Sequence, residues 1–495
     1  MEERPPHRRD PSMRRLLAIP AALLLALLAA CTGEAGGETA VDLAGPGAVD
    51  PAESEAEYEV NESADPADDP ESTFAVDVDT ASYDYARQSL LDGELPPPDQ
   101  VRPEEFVNSF DYGYEEPAGN GFALTVGYQD LPEWYGAEDG AQVVRVALQT
   151  RTESDAGRDD VNLTFVIDVS GSMEGDRIAI VRDALHLLVD ELRPTDAVAI
   201  VTYESESDVL LGMTEVGDGE ALHDAIDDLE ADGSTNMHAG LEDGYELAAE
   251  AFDGDRDNRV VLLSDGEANV GLTEHDAMLD AIGGEIADGI TLLTVGVGDS
   301  YNQELLEQLA DNGDGWAVFF ASQGRAEEVF SERLTSTLGV TAEDAKVQVT
   351  FNPETVASYR LIGFENRALQ DEDFEDDSVD AGEVGPGHSV TALYEVVPTG
   401  ETGEYLTAAV RWTDPETGET GTAEQTADAG AVFDFPDSGL DVATVAAAFA
   451  EALRGSAEFD CAAILPEAQA LAETTDDPDV DELAELVAAA AELGA

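Results

Sequence analysis

Between residues 162 and 338 the chain alternates short apolar runs with segments of helical periodicity, and this alternation restricts the possible folds more than any other feature. Four runs are apolar almost throughout: residues 163–167, 197–202, 259–264 and 290–297. Such runs are typical of strands that are buried on both faces. The intervening segments predict helices, among them residues 176–192, 275–287 and 326–338. The alternation therefore predicts a mostly parallel sheet with helices on both faces.

One carboxylate and two hydroxyl side chains directly follow the first apolar run. They belong to the segment Asp168-Val169-Ser170-Gly171-Ser172, which lies between the predicted strand and the helix at 176–192. This places them at the carboxyl end of a parallel strand, where open α/β sheets bind their ligands. Because all three are hard oxygen donors, the segment predicts a site for Mg²⁺, Mn²⁺ or Ca²⁺.

Two more oxygen donors follow at places that the same sheet brings together. Thr235 lies in the turn Gly233-Ser234-Thr235-Asn236, which leads into a predicted helix, and Asp265 follows the apolar run at 259–264. In a doubly wound sheet all these segments end at one edge. The simpler interpretation is that the serines cap a helix and the aspartates merely end strands. The order and spacing of all the pieces favour the metal site.

With these motifs, the alternating segment resembles a von Willebrand factor type A (vWA) domain with a complete metal-ion-dependent adhesion site. The resemblance implies that Ser170 and Ser172 bind Mg²⁺ directly and that Thr235 joins them in the high-affinity state. It implies that Asp168 and Asp265 act mainly through water or hydrogen bonds. It also implies that a partner's Asp or Glu fills the sixth position. Neutral hydroxyl ligands suit this role because they leave most of the metal's charge uncompensated.

The sequences on either side of the alternating segment extend the resemblance to a family of bacterial lipoproteins, the YfbK type. Residues 74–83 and 102–112 resemble the family's N-terminal region, and residues 359–369 resemble its C-terminal domain of unknown function. Strand-like runs within 122–149 and 346–412 flank the vWA segment, and neither set has enough strands to bury its own face. We therefore predict that both sets pack into one sandwich-like domain that contains the vWA domain as an insertion.

The fold class predicted from these observations is α/β, with a Rossmann-like vWA domain inserted into a mainly β domain that carries extra helices. Closing helices are predicted at residues 442–453 and 481–490. The predicted domains are a lipoprotein signal peptide (1–30), an acidic disordered tether (31–71), an N-terminal YfbK-type domain (72–158), the vWA domain (159–340) and a C-terminal domain that is β-rich and then helical (341–495).

The first 30 residues have the features of an export signal, with a basic start and an apolar run at 16–30 that is short for a membrane span. The segment Leu28-Ala29-Ala30-Cys31 resembles a bacterial lipobox, which implies lipidation of Cys31. A plain secretory signal or a short anchor helix is the alternative. We expect an extracytoplasmic protein, lipid-anchored to the bacterial cell membrane. Lipidation would leave Cys461 without a disulfide partner, and its alanine-rich surroundings predict a buried thiol.

The chain is extremely acidic, with 110 acidic and 22 basic residues and a net charge of −88. Nucleic-acid binding is therefore excluded, because phosphate recognition needs a basic surface. The acidic residues are spread along the whole chain, which favours a surface adapted to high salt, where repulsion between like charges is screened. An acidic secreted protein without such an adaptation is the alternative.

Motifs typical of enzymes are absent from the sequence, including GxSxG, the P-loop and HExxH. His186, His223, His238 and His275 lie on predicted helices or their ends and show no familiar ligand spacing, and His238 is interpreted as a surface or packing residue. The acidic loop at 371–380 lacks the ligand order of an EF-hand. We expect a non-enzymatic protein that mediates divalent-metal-dependent protein binding or adhesion. A structural or regulatory subunit of a cell-envelope complex is the main alternative, and a metal-dependent hydrolase is a third.

Overall fold

The computed structural model describes residues 60–138, 140–152, 158–265, 289–298, 303–320, 339–377, 379–415, 417–430, 438–456 and 459–495. The predicted signal peptide, Cys31 and residues 31–59 of the predicted tether lie outside the described residues. Residues 60–71, which were predicted to belong to the disordered tether, are ordered, because Ala64 and Tyr359 exchange backbone hydrogen bonds and a strand begins at Glu71. So do the predicted helices at 275–287 and 326–338.

Strands and helices occur in each of the three domains that were predicted to fold. The strands are β1 (Glu71–Ala75), β2 (Phe122–Asp130), β3 (Gln142–Thr150), β4 (Asp160–Asp168), β5 (Ala197–Tyr203), β6 (Ser207–Glu215), β7 (Arg256–Ser264), β8 (Thr291–Val297), β9 (Ala317–Phe320), β10 (Ala342–Phe351), β11 (Val356–Ile362), β12 (Gly382–Val384), β13 (Ser389–Pro398), β14 (Glu404–Thr413) and β15 (Thr420–Asp428). The helices are α1 (Ala81–Leu91), α2 (Pro103–Asn108), α3 (Asp176–Glu191), α4 (Glu220–Asp227), α5 (Met237–Glu250), α6 (Gln303–Asp311), α7 (Gly439–Leu453), α8 (Cys461–Thr475) and α9 (Pro478–Leu493).

A six-stranded sheet lies in the middle of the chain, with the strand order β6-β5-β4-β7-β8-β9. The pairs β4–β5, β4–β7, β7–β8 and β8–β9 are parallel, and the edge strand β6 is antiparallel to β5. From Val161 onward every residue of β4 is buried. That is why its sequence is nearly continuous in apolar residues instead of alternating with polar ones. The predicted mostly parallel, Rossmann-like sheet is confirmed.

Helices cover both faces of this sheet. Since successive side chains of a strand point to opposite sides, each strand contributes to a separate core on either face. Leu163 and Phe165 of β4 lie in the core formed with α3 and α4. Val166, between Phe165 and the end of the strand, lies in a separate core with α5 and α6. The carboxyl ends of the parallel strands therefore remain uncovered by the helix faces, and this edge carries the predicted site.

Two antiparallel sheets form the second part of the structure, with the orders β1-β10-β14-β15 and β11-β13-β3-β2. Strand β3, which precedes the vWA segment, pairs with β13, which follows it, and Val146 lies opposite Ala392. Side chains of both sheets, including Val146 and Val347, share one hydrophobic core. The prediction that strands on either side of the vWA domain form one sandwich, with the vWA domain inserted between them, is confirmed.

A helical layer of α1, α2, α7, α8 and α9 packs around a further core at the sandwich. Helix α7 is buried along nearly its whole length, and its Phe449 meets Phe106 of α2 edge-on at 5.8 Å between ring centroids. Cys461 is fully buried, as its surroundings predict, and burial raises the pKa of its thiol to about 12. Among the described helices, none combines the length and the hydropathy that a membrane crossing requires.

Candidate metal centre

Asp168 is the last residue of β4 and is completely buried at the carboxyl edge of the sheet. Its Oδ1 accepts a hydrogen bond from the backbone N–H of Ser170 at 2.9 Å. Its Oδ2 accepts hydrogen bonds from the Ser264 hydroxyl at 2.9 Å and the Tyr203 hydroxyl at 3.3 Å. Asp168 therefore holds together the ends of three neighbouring strands, β4, β5 and β7.

Ser170 and Ser172 lie on a short turn of 3₁₀ helix, Gly171–Met173, that immediately follows β4. The two hydroxyl oxygens are 3.0 Å apart, Ser170 is buried and Ser172 is half-buried. This separation is that of a hydrogen bond between the two hydroxyl groups. Oxygens this close can also bind one hard divalent ion together, whether Mg²⁺, Mn²⁺ or Ca²⁺.

The loop that carries Thr235 packs against the serine turn. The N–H of Gly171 donates to the carbonyl of Gly233 at 3.2 Å, and the N–H of Asp232 donates to the carbonyl of Val169 at 2.8 Å. Thr235 itself is 1% exposed and lies just before α5, whose first turn is capped by the side chain of Asn236. The structure thus brings the threonine loop to the same edge of the sheet as the serines, as predicted.

Asp265 follows β7 and is completely buried, and it forms an ion pair with Arg177 of α3. The Arg177 Nη1 lies 2.8 Å from the Asp265 Oδ2 and also donates to the carbonyl of Ser172 at 3.1 Å. Gly298 leaves room for this guanidinium, because a Cβ there would lie 2.4 Å from the Arg177 Nε. Arg177 was not predicted from the sequence, where its only signal is its place in the first turn of the helix after the serines.

A second unpredicted residue at this edge is Glu204, directly after β5. A Cβ on Gly233 would lie 1.5 Å from the Glu204 Oε2, so the carboxylate occupies the space that a side chain at position 233 would need. Gly233 also has a φ of +88°, which favours glycine. The sequence did offer a signal for Glu204, since it follows the strand adjacent to β4 at the same edge.

Two buried carboxyl groups, those of Asp168 and Asp265, lie at this edge. Burial raises the pKa of Asp168 to about 6, and the nearby carboxylate of Asp265 acts in the same direction. Hydrogen bonds from Ser170 and Ser264 act in the opposite direction. A cation next to the site would favour the ionised form of this carboxyl group. We call Asp168, Ser170, Ser172, Thr235 and Asp265 the candidate metal centre, because the structure places all five at one edge.

The acidic loop at 371–380 is held to the sandwich, and it contains a short 3₁₀ turn at Asp371–Glu375. The ammonium group of Lys346, the single lysine of the chain, donates to the carbonyl of Asp376 at 2.5 Å and lies 3.4 Å from the carbonyl of Asp373. Arg411 pairs with the Asp377 carboxylate at 2.7 Å. These contacts hold residues 373–377 of the loop to the sandwich.

Three parts of the chain match known protein families. Residues 162–332 match the family described as "von Willebrand factor type A domain", and residues 336–405 match "Uncharacterized protein YfbK, C-terminal". Residues 51–138 match a family described as "von Willebrand factor". These matches cover the vWA domain and both of the segments that flank it.

Individual relatives differ in how much of the chain they share. The protein YfbK of Escherichia coli (strain K12) is 34% identical over 418 residues, which cover 79% of this chain and 72% of YfbK. The inter-alpha-trypsin inhibitor heavy chain H3 of Homo sapiens is 26% identical over 48% of this chain, and the chain spans only 28% of it. A solved structure, "von Willebrand factor type A from Catenulispora acidiphila", has 17% identity and a TM-score of 0.43, covering 76% of this chain and 89% of that one.

Proposed function

The chain belongs to the YfbK family, and from this membership we propose that it is a membrane-tethered extracytoplasmic protein that binds a protein partner through a divalent metal ion. The observation that carries the proposal is the pair of serine hydroxyls 3.0 Å apart at the carboxyl edge of the parallel sheet. Around this pair the fold places a buried threonine and two buried aspartates, all of them oxygen donors.

Each residue of the candidate metal centre has a distinct role in this proposal. Ser170 and Ser172 would hold the ion, and Thr235 would join them. Asp168 orients the serine turn through its hydrogen bond to the N–H of Ser170. The ion pair with Arg177 compensates the charge of Asp265. A divalent ion held by neutral hydroxyls keeps most of its charge and attracts a carboxylate.

The partner is proposed to supply that carboxylate from an Asp or Glu side chain. On a chain with a net charge of −88, another acidic protein is repelled at long range, and repulsion weakens only when salt screens it. A local cation would offset this repulsion at one point and thereby determine where the partner docks. The N-terminal signal, with lipidation at Cys31 and a tether that ends before residue 60, would hold the binding domain at the outer face of the membrane.

Calorimetric titration of Mg²⁺ and Mn²⁺ into the full chain, in concentrated KCl, tests the site directly. We expect binding by the wild type and none by the Ser170→Ala/Ser172→Ala variant. The matched control is Ser89→Ala/Ser109→Ala, because both of those hydroxyls donate to a carbonyl four residues earlier and are far along the chain from the site. Wild type and serine variant giving the same heats would contradict the proposal.

A pull-down from envelope extract, with and without EDTA, tests the function. Partner capture that needs the metal and the two serines supports metal-dependent binding. Capture that survives both EDTA and the Ser170→Ala/Ser172→Ala change would instead support a structural subunit of an envelope complex, in which the site has no role in association.

A further inference from the structure

Two histidines from different helices meet on the face of the vWA domain formed by α3 and α4. His186 of α3 and His223 of α4 place their Nδ1 atoms 2.7 Å apart, and their rings lie edge to edge with centroids 5.0 Å apart at an interplanar angle of 25°. About a third of each side chain is exposed. The sequence shows no ligand spacing for these two histidines, and helix packing makes them a pair.

A carboxylate stands behind each ring, and each comes from the opposite helix. The Nε2 of His186 lies 3.3 Å from the Asp227 Oδ1 on α4, and the Nε2 of His223 lies 3.3 Å from the Asp190 Oδ1 on α3. Each aspartate is four residues after a histidine on its own helix, so both helices repeat the spacing His-x-x-x-Asp. Residues four apart share one helix face, and the two faces meet here.

The two contacts of each ring favour different positions of its proton. A carboxylate beside Nε2 favours a proton on that nitrogen, whereas the hydrogen bond between the Nδ1 atoms requires a proton on one of them. Two Nδ1 lone pairs that face each other repel unless a proton or a metal ion lies between them. Histidines that bind metals through one nitrogen commonly donate the other N–H to a carboxylate, and the aspartates occupy that position here.

We propose that His186 and His223 form a second metal site, which binds a borderline-soft divalent ion of the Zn²⁺ class through both Nδ1 atoms. Asp190 and Asp227 would orient the rings without binding the ion, and the remaining positions would be open to water. Zn–N bonds of about 2.0–2.1 Å in tetrahedral geometry separate two nitrogens by roughly 3.3 Å. The rings would have to separate by roughly 0.6 Å and turn until both Nδ1 lone pairs point at the ion, which half-exposed side chains can do by torsional changes.

The site is chemically distinct from the candidate metal centre and does not depend on it. The centre offers oxygen donors, which suit Mg²⁺ and Mn²⁺, whereas imidazole nitrogens suit Zn²⁺ and Cu²⁺. His186 is ten residues after Asp176 on α3, which is about 15 Å along the helix axis. A metal ion at the histidines would join α3 to α4 directly. It would thereby fix two helices that cover the same face of the sheet.

Electron paramagnetic resonance of the full chain with one equivalent of Cu²⁺ tests the proposal, because coupling to nitrogen distinguishes imidazole ligands from the many surface carboxylates. We expect coupling to two nitrogens in the wild type and none in His186→Gln/His223→Gln. Added Zn²⁺ should displace the copper, whereas millimolar Mg²⁺ should not. Absence of nitrogen coupling in the wild type, or its persistence in the double variant, would overturn the site.

Three further variants keep the test specific. His238→Gln removes another vWA histidine, on α5, and should leave the two-nitrogen signal intact. Ser170→Ala/Ser172→Ala should also leave it intact, so a failure of the proposed function does not affect this result. Asp190→Asn/Asp227→Asn, which keeps both ligands, should weaken Zn²⁺ binding at least ~10-fold. Unchanged affinity in that variant would refute the orienting role of the aspartates.

Discussion

The central parallel sheet and the antiparallel sandwich are assembled from the chain in opposite ways. In the parallel sheet, β4 and β5 are joined by a single helix, α3, and every described strand comes from one continuous segment. In the sandwich, β3 pairs with β13 across the entire inserted domain. The parallel sheet can therefore form from local βαβ units, whereas the sandwich can close only after the two distant segments meet.

Two buried carboxyl groups, one in each part, differ in the charges around them. In the vWA domain, Asp196 pairs with Arg158 at the start of β4. In the helical layer at the sandwich, Glu104 is buried beside the charges of Glu365 and Asp77, and burial raises its pKa. Loss of the Asp196 charge should therefore destabilise the protein, whereas loss of the Glu104 charge should stabilise it at neutral pH.

The largest expected effect is that of breaking the buried pair in the vWA domain. Asp196 is completely buried and accepts hydrogen bonds from the Arg158 guanidinium and from the N–H groups of Val161 and Arg193. Asp196→Ala would leave the Arg158 charge buried without its partner, so the free energy of unfolding should fall by about 3–5 kcal/mol. Urea denaturation followed by circular dichroism measures the loss.

The exposed pair of the sandwich is the control for this prediction. Arg411 and Asp377 are 2.7 Å apart, but the Asp377 side chain is 56% exposed. Because solvent and salt screen such a pair, Asp377→Ala should cost less than about 1 kcal/mol. Similar losses from both substitutions would show that the contrast in buried charge does not govern stability.

The next largest effect concerns Glu104, whose carboxyl group is 1% exposed at the start of α2. Burial raises its pKa from 4.5 to about 8, and the charges of Glu365 and Asp77 add to the rise. Between pH 4.5 and 8 the folded protein thus retains a proton that the unfolded chain has released, so stability falls as pH rises. Over this pH range the free energy of unfolding should therefore fall by roughly 3 kcal/mol less in Glu104→Gln than in the wild type.

Denaturation of the wild type and Glu104→Gln at pH 5 and pH 8 measures this difference. Repulsion among the many surface carboxylates also grows with pH, but it affects both proteins equally and cancels in the comparison. Glu94→Gln, at an exposed position, should follow the wild type at both pH values. A Gln variant with the wild-type pH dependence would mean that Glu104 is ionised in the folded protein.

The parallel sheet was more predictable from sequence than the sandwich, and the reason is burial. Continuous apolar runs mark strands covered on both faces, and those of the vWA domain had this pattern. Strand β15 did not, because Ala427 is its only fully buried residue and pairing with β14 holds the strand in place. Helix α8 was also missed, although Ile464, Ala468 and Leu471 are buried at helical spacing, because Pro466 interrupts the pattern.

The candidate metal centre was predictable for a similar reason, since three of its residues lie in five consecutive positions after a strand. The residues that surround it were not. Arg177 acts through an ion pair that only the packing of α3 on the sheet creates. The pairing of His186 with His223 also depends on helix packing, across 37 residues of sequence. The repeated His-x-x-x-Asp spacing was the available signal, and it has meaning only when the two helices are considered together.

The smallest expected effects come from adding one methyl group to each part of the molecule. A Cβ on Gly244 of α5 would lie 2.3 Å from the Val166 Cγ2, and one on Gly421 of β15 would lie 2.3 Å from the Trp412 ring. Overpacking of this kind costs about 1–3 kcal/mol, and for Gly244→Ala the better helix propensity of alanine offsets about 1 kcal/mol. Thermal denaturation should therefore show a smaller loss for Gly244→Ala than for Gly421→Ala.

Metal affinity should rank the same two variants in the opposite order, with the larger loss in Gly244→Ala. The two variants therefore test whether the vWA domain and the sandwich are independent of each other. Helix α5 begins two residues after Thr235 and packs on β4, so a displaced α5 moves the threonine loop away from the serines. Calorimetry should show weaker Mg²⁺ binding by Gly244→Ala and wild-type binding by Gly421→Ala. If Gly421→Ala weakened Mg²⁺ binding as much, the sandwich would have to control the geometry of the vWA edge, because Trp412 and Gly421 belong to the sandwich alone.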